Sequence, residues 1–184
     1  MVFAGLKLNY ALGDLWRAFD MPSGKTHTRI DLFLLVVIIG IGACFWGPLV
    51  EFFGRDEMVE YGTVFVIAYL FGTFLLSPDL DLKASDPLKN WGILRLLWRP
   101  YSHIFKHRGL SHTPILGTLT RVLYIFVVVY ALTAMANAFF DLGWKMSFDD
   151  LKNMDFKIAI WALAGLCLPD LFHILADHTL KNAR

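Results

Sequence analysis

Leu32-Phe33-Leu34-Leu35-Val36-Val37-Ile38-Ile39-Gly40-Ile41-Gly42-Ala43-Cys44-Phe45-Trp46-Gly47-Pro48-Leu49-Val50 contains no charged residue. A helix on the surface of a soluble domain is apolar along one stripe, whereas this run is apolar all round. A membrane-crossing helix needs about 20 mostly apolar residues, and the run is that long. Three further stretches resemble it. Tyr61 to Leu76 is slightly short, and Ser77 and Pro78 can carry it to the interface. Pro114 to Phe140 is long and holds one charge, Arg121, which can snorkel to the headgroups or face a polar interior. Lys157 to Ala176 is apolar until Asp170 and then polar along one stripe. The expectation is an all-α, polytopic membrane protein with about four transmembrane helices. A soluble bundle with unusually apolar cores is the alternative, and the unstriped first run argues against it.

Composition agrees. The 184 residues are 57% hydrophobic, with a mean hydropathy of +0.53, too apolar for a typical soluble domain. The formal net charge is only +1, which by itself says nothing about nucleic acid; no nucleic-acid partner is expected. Cys44 and Cys167 each lie inside an apolar run and read as small buried hydrophobes, not as a disulfide or a thiolate metal site. Residues 1–20 mix polar and apolar residues without a basic start and a continuous apolar core, so no cleaved signal peptide is expected. They read as an N-terminal extension, either interfacial or poorly ordered. Residues 21–184 read as one domain.

The basic residues are unevenly shared. With four spans threaded in order, Arg55, Lys145, Lys152 and Lys157 fall at one end. Lys7, Arg17, Lys25, Arg29, Lys83, Lys89, Arg95, Arg99, Lys106, Arg108, Lys181 and Arg184 fall at the other. The positive-inside rule makes the second end, and both termini, cytoplasmic. Trp46, Trp144 and Trp161 then lie near the outer interface and Trp91 and Trp98 near the inner one, where aromatic belts are expected. Between the second and third spans, Trp91 to Phe105 mixes Trp, Ile and Leu with Arg95 and Arg99 and is broken by Pro100. This suits an interfacial amphipathic segment, with its basic groups near anionic lipid heads. A lid packed on its own protein is the alternative.

Residues able to bind metal gather at the same end. His27 precedes the first run. Asp79 and Asp81, in Ser77-Pro78-Asp79-Leu80-Asp81-Leu82, close the second. His107 and His112, in Lys106-His107-Arg108-Gly109-Leu110-Ser111-His112, open the third. Asp170, His173 and Asp177 close the fourth. On a helix, Asp170, His173 and Asp177 share a face, and three polar groups on one face of an apolar helix need a polar environment. Gly109 permits a tight turn between His107 and His112. Singly, each residue reads as a solvated surface group or a cap; their convergence on one membrane face is the signal. The set suits one or two divalent ions. Imidazole and carboxylate without thiolate fit Zn, Mn or Fe and disfavour an iron–sulfur cluster. Two such ions can activate a water and clamp the oxygens of a phosphoester. Asp81 is the candidate general base and Arg108 the candidate anion contact, while Ser111 reads as a helix cap.

His27, then Pro78-Asp79-Leu80-Asp81, then His107-Arg108-Gly109-Leu110-Ser111-His112, then His173-Ile174-Leu175-Ala176-Asp177 resembles the pattern of a bacterial family of membrane-bound metal-dependent hydrolases that includes the LexA-binding inner-membrane type. The start, Met21-Pro22-Ser23-Gly24-Lys25-Thr26-His27, is more similar still to a related family of metal-binding proteins. The resemblance spans about residues 21 to 181 and carries His27, Asp79, Asp81, His107, His112, His173 and Asp177. Asp170 comes from the stripe alone. The resemblance implies metal binding and, less directly, hydrolysis.

Two function classes follow. One is a metal-dependent hydrolase acting at the cytoplasmic interface on a phosphoester or lipid-like substrate. The other is a non-catalytic metal-binding membrane protein: a sensor, a metallochaperone or an assembly factor, with a protein partner. A metal transporter fits poorly, because transport sites usually lie near the bilayer midplane. The lipid phosphatases with a His nucleophile share Arg99-Pro100 and Ser111-His112 with this chain, but no Lys precedes Arg99 at the distance they require.

Overall fold

The computed structural model describes residues 24–82, 85–105, 113, 115–144 and 155–182. Among them there is no strand. The helices are α1 (Gly24–Cys44), α2 (Trp46–Phe53), α3 (Arg55–Leu75), α4 (Asp86–Asn90), α5 (Arg99–Ile104), α6 (Leu116–Phe140) and α7 (Phe156–Asn182), with 3₁₀ segments at Pro78–Asp81 and Gly92–Trp98. Four of these, α1, α3, α6 and α7, are long and apolar enough to cross a membrane. Their large outward apolar side chains, such as Phe33 and Val36 on α1 and Leu123 and Phe139 on α6, are exposed. In lipid this costs nothing, because hydrocarbon tails are as apolar as leucine.

The apolar run from Leu32 to Val50 is not one helix. It breaks at Phe45, between α1 and α2. Pro48 explains the break: it has no N–H to donate, and its ring opposes the carbonyl four residues back, at Cys44. α1 instead begins at Gly24, so His27 sits inside its first turns. α2 then lies exposed, and Gly54, at a φ of 89° that L side chains rarely adopt, turns the chain into α3. Asp56 and Glu57 in the first turn of α3 complement its N-terminal dipole.

α3 and α7 run parallel and make the main helix contact. Lys157 pairs with Glu57 at 3.3 Å near their starts. Tyr61 then stacks on Trp161 with ring centroids 6.0 Å apart. Further along, the helices touch backbone to backbone: a Cβ on Gly165 would lie 2.5 Å from the Phe65 carbonyl oxygen, and one on Gly72 3.2 Å from that of Leu166. Glycine at both positions is what permits this approach. α1 packs antiparallel against the pair through Leu35, which meets Phe65 and Tyr69. The Tyr69 hydroxyl donates to the Asp31 carbonyl at 2.9 Å. α6 is joined to the others mainly at its start.

The segment between α3 and α6 is three short pieces, not one amphipathic helix. Pro100 lies in the first turn of α5, so it starts a piece as well as ending one. Trp98 and Tyr101 turn inward onto Leu76 and Leu80 and against Tyr124 of α6. The Trp91 indole N–H donates to the Leu75 carbonyl at 2.8 Å, which satisfies part of the end of α3. Ile93, Leu94, Leu96 and Ile104 face outward. The aromatic side of this segment is thus packed on the protein, as the alternative expectation had it, and its aliphatic side is exposed.

A candidate metal centre at one end of the bundle

The start of α1, the end of α3, the start of α6 and the end of α7 meet at one end. α3 stops at Leu75 and is capped by Leu76, Ser77 is extended, and Pro78 opens the 3₁₀ turn that carries Asp79, Leu80 and Asp81. Leu80 is fully buried beside Trp98 and anchors the turn. A 3₁₀ turn has about three residues per revolution, so Asp79 and Asp81 leave it on different sides. Asp79 approaches α7, and Asp81 is buried.

His27 and His173 lie face to face, with ring centroids 3.9 Å apart and 26° between their planes. Both are buried, and both direct Nε2 towards carboxylates. His27 Nε2 is 3.2 Å from Asp177 Oδ1. His173 Nε2 is 3.6 Å from Asp79 Oδ1 and 3.9 Å from Asp177 Oδ2. Donor atoms of His27, His173 and Asp177 all lie within 4.8 Å of one another. The Asp177 side chain is 45% exposed and that of Asp79 19%, so the group opens at the bundle end and is closed behind by the imidazoles.

The donor set fits a divalent cation. Two donors each about 2.0–2.1 Å from one tetrahedral ion sit roughly 3.3 Å apart, and the His27–Asp177 and His173–Asp79 separations bracket that value. Imidazole nitrogens and carboxylate oxygens suit Zn, Mn or Fe. His27, His173, Asp177 and Asp79 are the residues that would hold the ion.

Asp170 lies on the same stripe of α7 one turn deeper. Its Oδ2 accepts hydrogen bonds from the Thr118 hydroxyl and the Arg121 guanidinium, both on α6. Asp170 and Arg121 are almost wholly buried. Arg121 therefore faces a polar interior and does not snorkel, and the pair ties the start of α6 to the end of α7. His107, Arg108 and His112 lie outside the described residues, as do residues 1–20.

Asp31 escaped the sequence reading. It is buried in the same interior, one turn beyond His27. The available signal was the four-residue spacing from His27, which places both on one helix face once α1 is seen to start before Leu32. Thr118 carried no signal of its own, because a threonine in an apolar run is ordinary.

Residues 22–184 match the family described as "Uncharacterized metal-binding protein (DUF2227)". The chain belongs to this family. The DUF2227 match includes the whole His27, Asp79, His173 and Asp177 group. A curated relative from Aquifex aeolicus (strain VF5), described as an uncharacterized protein, is 37% identical over 127 residues, which is 64% of this chain and 90% of that protein. No solved structure matches. Membership of the DUF2227 family and the geometry of the four residues agree on metal binding.

Proposed function

We propose that the protein is a membrane-embedded, metal-dependent hydrolase whose His/Asp centre opens at the cytoplasmic face of an inner, plasma-type membrane. Its substrate is a phosphoester or lipid-like molecule. One observation carries this reading: the donors of His27, His173 and Asp177 lie within 4.8 Å at one end of four membrane-length helices, and Asp177 is 45% exposed on the open side. A catalytic centre needs such an opening, whereas a structural one is closed.

A bound divalent ion supplies Lewis acidity and an activated water. The chain's residues do the rest. His27 and His173 present Nε2 from the closed side and keep bulk water from entering behind. Asp79 and Asp177 would complete the ligand set and balance the charge of the ion. Asp81, on the same turn as Asp79, would be the carboxylate that accepts a proton from water at the centre. Arg108 contacts the anionic group of the substrate. Lys89, Arg95 and Arg99, all on exposed positions of the α3–α6 segment, support contact of that segment with anionic lipid heads.

The second reading is a non-catalytic metal-binding membrane protein: a sensor, metallochaperone or assembly factor that acts through a protein partner. It is favoured by the family description, which speaks of metal binding and not of turnover. Nanodisc-embedded protein loaded with Zn or Mn decides between them when screened against phosphoester and phospholipid substrates. Hydrolysis that stops on chelation, and that falls in Asp81→Asn while metal content is kept, supports the enzyme. Full metal loading with no metal-dependent turnover establishes the non-catalytic protein.

A further inference from the structure

Behind the two stacked imidazoles lies a carboxylate that the centre described above does not use. Asp31 is on α1, 5% exposed, on the same helix face as His27. Its backbone carbonyl is held by the Tyr69 hydroxyl of α3. Its side-chain oxygen Oδ1 is buried and has no hydrogen-bond partner. The His27 and His173 rings stack, and Asp31 on α1 and Asp170 on the antiparallel α7 each lie one turn deeper than these histidines, so the two carboxylates share one level of the bundle. Asp170 engages Thr118 and Arg121 through Oδ2, and its Oδ1 is likewise buried with no partner.

Such an arrangement is costly as it stands. A carboxylate in a low-dielectric interior loses several kcal/mol of hydration unless it is paired, and two facing carboxylates repel one another. Among the described residues, the buried charged side chains other than histidine are Asp31, Asp81 and Asp170 against Arg121. Protonation would remove the repulsion but leave the oxygens unused. A divalent cation relieves both problems, and carboxylate oxygens are the ligands that a hard cation such as Mn²⁺ or Mg²⁺ prefers.

We propose that Asp31 and Asp170 hold a second divalent cation, one helical turn deeper than the His27–His173–Asp177 position, with His173 between the two. The inference rests on the metal centre of the proposed function and extends it to a two-ion site with an outer, histidine-rich position and an inner, oxygen-rich one. Arg121 and Thr118 then have a positioning role: by holding Oδ2 of Asp170 they leave Oδ1 for the ion.

The test uses the full chain in nanodiscs, stripped with chelator and titrated with Mn²⁺ alone. Bound metal per chain is read by mass spectrometry and the coupling between ions by electron paramagnetic resonance. The wild type should take two ions per chain and show an exchange-coupled signal. Asp31→Asn should lose one ion per chain and leave the uncoupled six-line signal of a single Mn²⁺. Asp31→Glu, which keeps the carboxylate, should retain two ions. One ion per chain in the wild type, unchanged in Asp31→Asn, overturns the inner position and leaves the outer centre standing. No ion in the wild type overturns both. If Asp31→Asn does not fold, the wild-type stoichiometry and coupling still decide the matter.

Discussion

The His27 ring, near the start of α1, stacks on the His173 ring, near the end of α7, with centroids 3.9 Å apart. Two buried imidazoles that close repel if both are protonated, and both present Nε2 towards Asp79 or Asp177. A shared cation satisfies the nitrogens and the carboxylates together, and it links the first and last membrane-length helices.

His27→Ala and His173→Ala should therefore each weaken metal binding by more than the roughly 10–100-fold that loss of an outer-shell partner costs. Asp177→Ala should do the same. Competition with a calibrated chelator measures the change. Wild-type affinity in all three variants would remove the centre.

Metal should also stabilise the fold, because its ligands come from helices far apart in sequence. At a free ion concentration about 100 times the dissociation constant, the gain is about 2.7 kcal/mol. Thermal unfolding in detergent, with and without chelator, reads it as a rise in Tm on loading. An unchanged Tm on stripping the ion would show that the centre is not coupled to folding.

The four membrane-length helices and the meeting of His27, Asp79, His173 and Asp177 were legible in the sequence, because a charge-free run of membrane length has few other uses and these residues sit at the ends of such runs. The helix ends were not. Hydropathy cannot see that Thr26 to Asp31 belong to α1, since His27 and Asp31 read as polar residues ahead of the span but are buried in the fold. Asp31 was lost for that reason, and the break at Phe45 was hidden because Pro48 interrupts a run whose composition does not change. Asp170 and Arg121 were both conspicuous, yet their pairing joins α6 to α7, and no local pattern encodes it. Nor could composition foresee that Trp98 and Tyr101 would turn inward while Ile93 and Leu94 turned out.

The Arg121–Asp170 pair should respond asymmetrically to substitution. Arg121→Met strands the Asp170 carboxylate and should cost about 3–5 kcal/mol, as removal of one partner from a buried ion pair does. Asp170→Leu alone strands the guanidinium at similar cost. The double variant should recover much of the loss. Unfolding free energies of the chelator-treated proteins test this as a double-mutant cycle, and additive losses would show that the two residues are not coupled.

The glycine contact between α3 and α7 separates packing from chemistry. A Cβ on Gly165 would meet the Phe65 carbonyl oxygen at 2.5 Å, whereas one on Gly62 meets nothing within 4 Å. Gly165→Ala should destabilise by about 1–3 kcal/mol through overpacking, and Gly62→Ala should not. Equal melting temperatures for the two variants would mean that α3 and α7 do not approach as described.

Sidedness is open to a direct test, because the two ends of the bundle carry exposed residues suited to labelling. Lys89 lies at the metal end, with its side chain 62% exposed, and Asp56 is exposed at the start of α3, at the other end. In a background with Cys44 and Cys167 replaced by Ala, Asp56→Cys should react with a membrane-impermeant maleimide in intact cells. Lys89→Cys should react only after permeabilisation, because the excess of Lys and Arg at the metal end favours the cytoplasm. The reversed pattern would place the metal end outside and keep the four spans. Labelling of both positions from the same side would mean that α3 does not cross the bilayer, and the shared opening of the four helices on one membrane face would fall with it.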